Sequence, residues 1–265
     1  MTRGISSSMA GVLEQLELDQ PALVTSADLT RLLEAQGVRT PARIVAARLR
    51  EEGWLLPTGR RSVWEFAPAA AAGPYSRNDP VTPLRAFLSQ RPSALCGLTF
   101  QAAAWAHGIA DRAPARLEVA AANADLARQL PDRLAASVFS PRLGYVQHRG
   151  VPVLPLESVL VHMTTRPSAV RSWESAREWL PDLAAELSWD ALVHELEGRT
   201  AAVRARTGYL LQGMRADLAA KIHAIGVPRS KTWFGPHGPL LRHDAQWQIA
   251  DTILPFDPRQ LRAPA

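Results

Sequence analysis

The sequence predicts an α+β protein in which a small helical module with a β-hairpin precedes a larger mixed domain. The clearest break in composition is the run of residues 67–74, where prolines, alanines and a glycine interrupt any amphipathic period. Upstream of it, three short helical patterns lead into two apolar runs around a Gly-Arg-Arg turn. Downstream, helical and strand-like patterns alternate, as in an α+β domain. We therefore predict a first domain over residues 1–68, a linker over 69–80 and a second domain over 81–265.

The composition of the 265-residue chain excludes several classes of protein. Cys96 is its single cysteine, which rules out an intramolecular disulfide and any multi-cysteine metal site, and which is typical of a reducing compartment. No stretch approaches the roughly 20 apolar residues that span a bilayer, and Met1–Ala10 lacks the apolar run of a secretion signal. We expect a cytoplasmic protein. Its net charge of +5 is compatible with nucleic-acid binding but does not locate it.

Three helices are predicted in the first domain. Apolar residues recur with a helical period over residues 9–18, and a proline follows this pattern. Ser26 is predicted to cap a second helix that stops at Gly37, because serine accepts hydrogen bonds at a helix N-terminus and glycine readily adopts the conformation that ends a helix. The third helix is predicted to have Thr40 as its N-cap, with a proline next, and to end at Glu52.

Two apolar runs follow the third helix and are predicted to form a β-hairpin. They cover residues 54–57 and 62–66 and flank the turn Thr58-Gly59-Arg60-Arg61. The order of helix, helix, turn, helix and hairpin within about 65 residues is that of a winged helix-turn-helix, a DNA-binding module in which the hairpin is the wing.

Positive charge gathers on one side of the third predicted helix. At about 100° per residue, Arg39, Arg43 and Arg50 fall within a narrow stripe. The opposite side carries apolar residues, Ile44 among them, that are expected to pack. Arg48 lies nearer the packed side, and we interpret it as a snorkelling side chain or a phosphate contact. Arginine suits the stripe because its planar fork can bridge two acceptors of a guanine or of a phosphate.

Small residues beside the stripe should let the helix approach the floor of a major groove about 12 Å wide. Backbone N–H groups next to Thr40 can hold a phosphate at the helix N-terminus, and the wing tip would reach the flanking backbone or minor groove. The predicted DNA-binding residues are Arg39, Thr40, Arg43, Ala46, Ala47, Arg50, Arg60 and Arg61. The alternative is that the arginines form a solvated face of a purely structural module.

In the second domain the predicted elements alternate between helix and strand. Helices are predicted over residues 83–89, 99–107, 156–163, 172–180 and 189–211, and strands over 117–120, 137–139, 144–148, 151–154, 232–234 and 247–249. The long apolar pattern over 189–211 is predicted to be a single helix.

Three motifs of this domain resemble those of the AbiEi-type antitoxins. They are Ser93-Ala94-Leu95-Cys96-Gly97-Leu98-Thr99 before a helix closing at His107, then Val151-Pro152-Val153-Leu154-Pro155-Leu156-Glu157-Ser158-Val159-Leu160, and then Arg206-Thr207-Gly208-Tyr209-Leu210-Leu211. Together with the winged helix they occur in the family's order. The resemblance implies the antitoxin of a type IV toxin-antitoxin pair, without enzymatic activity. It would repress its own operon by binding promoter inverted repeats through the winged helix, and counter a nucleotidyltransferase-like toxin through the second domain.

The histidines lack the spacing of a known metal or catalytic motif. His237 and His243 with Asp244 are the best metal candidate, and we interpret them as residues of a surface loop. Glu157 is interpreted as an acid at a helix start rather than a catalytic group. We therefore expect no catalytic residue, no metal and no cofactor.

The expected partners are double-stranded promoter DNA and a nucleotidyltransferase-like toxin, with no membrane. The chain is expected to be a monomer or a dimer assembled on DNA. Two alternatives stay open: a winged-helix repressor that responds to a small ligand, and a nuclease-like enzyme delivered to DNA by the winged helix. A toxin-like nucleotidyltransferase encoded next to the chain would favour the first interpretation. In that case a fragment beginning near Val81 should counter the toxin without binding DNA.

Overall fold

Two units make up the chain, Met1–Ala94 and Leu95–Ala265, in a computed structural model that describes residues 7–71 and 75–264. Both contain helices and small sheets, so the predicted α+β class is confirmed. Within the described ranges, none of the helices has the length and apolar character needed to cross a membrane.

Helices and a small sheet alternate in the first unit. Its helices are α1 (Ser7–Asp19), α2 (Ser26–Ala35), α3 (Ala42–Glu51) and α4 (Thr82–Gln90), and its strands are β1 (Leu23–Thr25), β2 (Leu55–Pro57) and β3 (Val63–Phe66). The strands pair antiparallel in the order β1-β3-β2, with Thr25 opposite Val63 and Leu55 opposite Phe66. From α1 to β3 the element order is that of a winged helix, with β2 and β3 in the place of the wing.

A capping box starts α2, and it centres on Thr25. The Thr25 hydroxyl oxygen accepts a hydrogen bond from the Asp28 backbone N–H at 3.2 Å, and the Asp28 carboxylate accepts one from the Thr25 N–H at 2.9 Å. The prediction that Ser26 caps this helix was wrong by one residue. Pairing of β1 with β3 holds Thr25 in the extended conformation that an N-cap needs.

Apolar side chains from the first three helices and the sheet form the core of the first unit. Leu29, Leu49 and Phe66 are completely buried there. Helix α4 also belongs to this unit, because it packs against β1 and β3 and buries Phe87. The sequence had assigned everything from residue 81 onward to the second domain.

The segment predicted as a linker, residues 69–80, is hydrogen-bonded to β3 along part of its length. The Ser76 hydroxyl and the Arg77 backbone N–H donate to the buried Glu65 carboxylate at 2.8 and 2.6 Å. Residues 72–74 of this segment lie outside the described residues.

The second unit combines seven described helices with two sheets. The helices are α5 (Phe100–Ala106), α6 (Ala124–Gln129), α7 (Leu156–Thr165), α8 (Trp173–Ala185), α9 (Trp189–Leu196), α10 (Ala201–Leu211) and α11 (Ala216–Ile225). The strands are β4 (Cys96–Leu98), β5 (Glu118–Ala121), β6 (Ala135–Val138), β7 (Val146–His148), β8 (Val151–Val153), β9 (Thr232–Phe234), β10 (Arg242–Asp244) and β11 (Ile249–Asp251). One sheet has the order β6-β5-β4-β8-β7, and the other has the order β10-β11-β9.

The helix predicted over residues 189–211 is two helices, α9 and α10. Gly198 adopts a φ of +66° in the link between them, a conformation that ends helices at low cost only for glycine. The Thr200 hydroxyl oxygen then accepts a hydrogen bond from the Val203 N–H at 3.3 Å and caps α10. The apolar pattern continues across the break because both helices face the same core, so the pattern alone did not reveal it.

Helix α7 lies at the centre of the second unit. Its residues from Glu157 to Thr164 are all buried, and it packs against α5, α9 and α10. A helix that is buried on every side must satisfy its polar groups inside the protein, and several of the hydrogen bonds described below do so.

Candidate nucleic-acid interface

Helix α3 has one buried and one exposed side. The buried residues are Val45, Ala46 and Leu49, which belong to the core of the first unit. The exposed residues are Arg43, Ile44, Ala47, Arg48, Arg50 and Glu51. Arg39, just before the helix, is also exposed. The accessible surface of α3 is therefore positively charged, with a single glutamate offsetting part of the charge.

Three predictions about this helix need correction. Ala46 is only 2% exposed, so it does not lie on the exposed side of the helix, where the sequence placed it as a DNA-facing residue. Ile44, predicted to pack, is 39% exposed, and Arg48 is exposed rather than near the packed side. Small Ala46 fits between α3 and the rest of the core, which turns the helix so that Ile44 faces outward.

The start of α3 also differs from the prediction. Pro41 occupies the N-cap position with φ −58° and ψ 136°, and no side chain caps the helix. Thr40 is half-buried and lies one residue before this position, so its predicted role as N-cap was wrong. The helix begins one residue later because the extended ψ of Pro41 keeps this residue out of the first turn.

The two arginines of the wing tip are in different environments. The guanidinium of Arg60 lies over the Phe87 ring, 4.9 Å from its centroid, and burial lowers the pKa of Arg60 from its ordinary value. Arg61 is exposed, and its backbone carbonyl accepts a hydrogen bond from the Gln90 side chain at 2.6 Å. Helix α4 thus contacts the turn of the hairpin through Phe87 and Gln90. Arg61 is the more accessible of the two arginine side chains.

The metal candidate predicted from the sequence does not form a ligand set. Asp244 is buried in β10, where it accepts hydrogen bonds from Arg259 at 2.8 Å and from the Trp247 backbone N–H at 3.1 Å. His243 is exposed in the same strand, and the His237 ring stacks on Trp233 at 4.4 Å. The prediction of a loop was wrong for His243 and Asp244, since both lie in a strand. Within the described ranges, no three histidine, cysteine or acidic side chains are arranged to hold a metal.

A buried histidine that the sequence did not single out lies under the large sheet. His162 of α7 is fully buried, with its Nδ1 2.8 Å from the Thr99 hydroxyl and its Nε2 3.0 Å from the Ser137 hydroxyl. Its ring lies 4.3 Å from both Phe100 and Phe139, measured between centroids. Burial lowers the pKa of His162 well below 6.5, so the ring is neutral and joins α7 to the start of α5 and to β6 by two hydrogen bonds. No local pattern signals it, because its partners are far away in sequence.

The acid predicted at a helix start has a structural contact. Glu157 lies in the first turn of α7, and its carboxylate accepts a hydrogen bond from the Ser188 backbone N–H at 3.0 Å. This position suits an acid because the N-terminal end of a helix carries partial positive charge.

Comparison with known proteins identifies the second unit. Residues 94–213 match the family described as the AbiEi antitoxin C-terminal domain. Much of the second unit is thus similar to the C-terminal domain of the AbiEi-type antitoxins. The matched range starts at the boundary between the two units and contains the five-stranded sheet, α7 and the motif at residues 206–211. It confirms the family resemblance that the order of three short motifs indicated. An antitoxin family is regulatory rather than enzymatic.

A solved structure resembles the whole chain. The crystal structure of the RV2827C protein from Mycobacterium tuberculosis is similar, with a TM-score of 0.77 and 25% identity over 96% of this chain and 94% of that one. This similarity therefore includes the first unit, which lies largely outside the family match. No curated protein sequence matches the chain.

Proposed function

We propose that the chain is the antitoxin and autorepressor of a type IV toxin-antitoxin operon in the bacterial cytoplasm. The first unit would bind inverted repeats in the operon's own promoter, and the second would counter a nucleotidyltransferase-like toxin. The AbiEi domain over residues 94–213 supports the antitoxin half. The DNA-binding half depends on one observation: the exposed side of α3 carries three arginines, next in the chain to a wing with an exposed Arg61.

This surface has the chemistry that duplex DNA requires. Arg43 and Arg50 are seven residues apart, which places them two turns apart on the same edge of α3. Their guanidinium groups can bridge guanine O6 and N7 or a phosphate, and Arg39 adds charge just before the helix. The buried side of the helix is apolar, so the exposed side can enter a groove without removing any core residue. The proposed DNA contacts are Arg39, Arg43, Ala47, Arg50 and Arg61, with Thr40 and Arg60 beside them.

Replacing both Arg43 and Arg50 by alanine tests the DNA-binding half. Binding of a fluorescent promoter duplex, measured by anisotropy, should weaken by roughly 1–3 kcal/mol for each arginine that pairs with a base. Arg128→Ala is the matched control, because Arg128 is an exposed helical arginine of the second unit. It removes one positive charge, half of what the double variant removes, and should bind as the unaltered chain does.

The same titration separates arginines that bind bases from arginines that bind phosphates. Removing a phosphate-binding arginine weakens binding to all sequences and reduces the dependence of affinity on salt, whereas removing a base-binding arginine reduces the preference for the promoter. Unchanged promoter affinity in a folded double variant would contradict the assignment. The number of chains bound per duplex at saturation distinguishes one bound copy from two.

The antitoxin half is tested with the second unit alone. Because α4 packs in the first unit, the fragment should begin after it, at residue 92 rather than near Val81. Co-expression of residues 92–265 should restore growth of cells that produce the toxin, whereas residues 1–94 should not. Toxicity that persists beside a soluble, folded fragment would count against this half.

A ligand-responsive repressor is the second candidate, and one cavity favours it. The cavity has a volume of about 560 Å³ and lies in the second unit between α8 and the loop after α5, with Asp111, Glu178, Asp182 and Arg112 on its walls. Its charge would suit a small cationic ligand. Such a ligand would raise the melting temperature of the chain and change its affinity for promoter DNA, and an AbiEi toxin partner would then be unnecessary.

A further inference from the structure

We infer that Ile44 and Ala47 contact the C5-methyl groups of thymines, so that each recognised half-site carries thymine opposite the middle of α3. This inference rests on the DNA binding proposed above and specifies which bases the helix reads. It concerns two residues with no charge, on a helix whose other exposed residues are mostly arginines.

Two apolar residues, Ile44 and Ala47, lie near the middle of the exposed side of α3, and Glu51 lies on the same side at the C-terminal end of the helix. At about 100° per residue, the buried residues Val45, Ala46 and Leu49 centre on one side, and the direction opposite to them falls between Ile44 and Ala47. These two residues are three positions apart and are therefore neighbours on the helix surface. Helix geometry thus puts them where α3 would come closest to the floor of a groove.

Arginines flank this apolar strip on both edges. Arg43 and Arg50 lie along one edge, and Arg48 lies on the other side of Ile44. Long, charged side chains at the edges can reach phosphates or guanines on either side. A short apolar side chain can contact only what lies directly beneath the helix, so the strip and its flanks have different roles.

The chemistry of the strip selects one feature of the major groove. Ile44 is 39% exposed and is not part of the core of the first unit, so the fold does not require its apolar side chain for packing. It can neither donate nor accept a hydrogen bond, and a phosphate gains nothing from it. Of the groups that base pairs present in the major groove, the thymine methyl is the apolar one. Ala47, with a single methyl, leaves room for the base that Ile44 contacts.

The experiment compares two promoter duplexes that differ only in these methyl groups. The first is the DNA upstream of the gene with thymine, and the second is the same DNA synthesised with deoxyuridine at every thymine. Base pairing is unchanged between them. The unaltered full-length chain should bind the deoxyuridine duplex more weakly, by roughly 4-fold for each methyl group that it buries. This comparison needs no variant of the protein.

A variant assigns the methyl contact to the strip. Ile44→Ala should distinguish the two duplexes less well than the unaltered chain does, because the larger of the two apolar side chains is gone and only the contact of Ala47 remains. Leu18→Ala is the matched control, because Leu18 is an exposed leucine of α1, and it should still distinguish the duplexes as the unaltered chain does. Ile44→Gln, which keeps the length of the side chain without its apolar end, should show the same weaker distinction and serves if the alanine variant does not fold.

Each result has a defined meaning. If the unaltered chain binds both duplexes equally well, the inference is overturned, but the proposed DNA binding stands. If Ile44→Ala and Ile44→Gln distinguish the duplexes as well as the unaltered chain does, the methyl contact lies elsewhere and the inference is also overturned. If the chain binds neither duplex, both this inference and the proposed function fail.

Discussion

Removing the buried carboxylate of Glu195 should strongly destabilise the second unit. Glu195 belongs to α9 and is completely buried. Its carboxylate accepts hydrogen bonds from the Arg142 backbone N–H at 2.9 Å, the Ser158 hydroxyl at 2.7 Å and the Arg199 guanidinium at 2.6 Å. One side chain thus ties α9 to the first turn of α7 and to the segment before β7.

The size of the effect follows from what Glu195→Ala leaves behind. The Ser158 hydroxyl and a backbone N–H lose their acceptor in the interior, which costs about 1–3 kcal/mol for each buried group that finds no water. Arg199, whose side chain is only 20% exposed, loses its counter-ion. Breaking a buried ion pair by removing one partner typically costs about 3–5 kcal/mol. These costs overlap because they concern the same carboxylate, so we expect a total loss of about 3–5 kcal/mol, or roughly 6–20 °C in melting temperature.

Glu197 provides the matched control two residues further along the chain. Its side chain is 59% exposed and pairs with His194, with 3.1 Å between the Glu197 carboxylate and Nδ1. A surface pair of this kind contributes less than about 1 kcal/mol, so Glu197→Ala should unfold at nearly the same urea concentration as the unaltered chain. Urea unfolding followed by tryptophan fluorescence and by circular dichroism measures both variants. Equal midpoints for Glu195→Ala and Glu197→Ala would refute the reasoning, as would Glu195→Gln unfolding at a lower midpoint than Glu195→Ala.

Two further predictions concern the second unit. Burial raises the pKa of Glu118 from 4.5 to about 7, so the folded chain keeps a proton that the unfolded chain releases, and stability should fall as pH rises through this range. The free energy of unfolding of the unaltered chain, measured by urea titration at several pH values, should therefore drop by up to about 3 kcal/mol relative to Glu118→Gln. A difference that stays constant with pH would contradict this. Gly208→Ala would place a methyl group against the buried Trp247 ring and should cost about 1–3 kcal/mol in thermal unfolding. Gly11→Ala is its control, since there the three atoms nearest to the new methyl belong to the movable Gln36 side chain, and an equal loss in both variants would show that the ring contact is not responsible.

Patterns over short stretches of sequence predicted several elements of the first unit. The helical period over residues 9–18 and the two apolar runs around Gly59 correspond to α1 and to the β2–β3 hairpin. Strand β1 was not predicted, because three residues carry too little pattern and their pairing with β3 depends on a partner about forty positions away. The arginine stripe of α3 was identified from the sequence, but Ala46 and Ile44 were assigned to the wrong sides of the helix. The helices and sheet around α3 determine which side packs, and the sequence of α3 alone does not show it.

In the second unit the limits of prediction have the same physical origin. Strand β4 was not predicted, although it lies in the middle of the large sheet, because it has three residues and pairs with β5 and β8 on either side. The buried polar groups of His162 and Glu195 gave no signal either. Apart from Arg199, the partners named above lie between 25 and 63 positions away, so only the folded chain brings the atoms together. The family resemblance succeeded here because the order of several motifs carries information that no single segment does.

The two sides of α3 have separate roles, one in the core of the first unit and the other in the proposed recognition of DNA. Val45, Ala46 and Leu49 hold the helix in the core, so replacing them changes the stability of the first unit. Ile44 and Ala47 lie on the opposite side, where substitutions alter a surface and leave the core intact. In the proposed repressor, the recognised sequence can therefore change without loss of the fold. It can also change without affecting the matched range 94–213, which contains none of these residues.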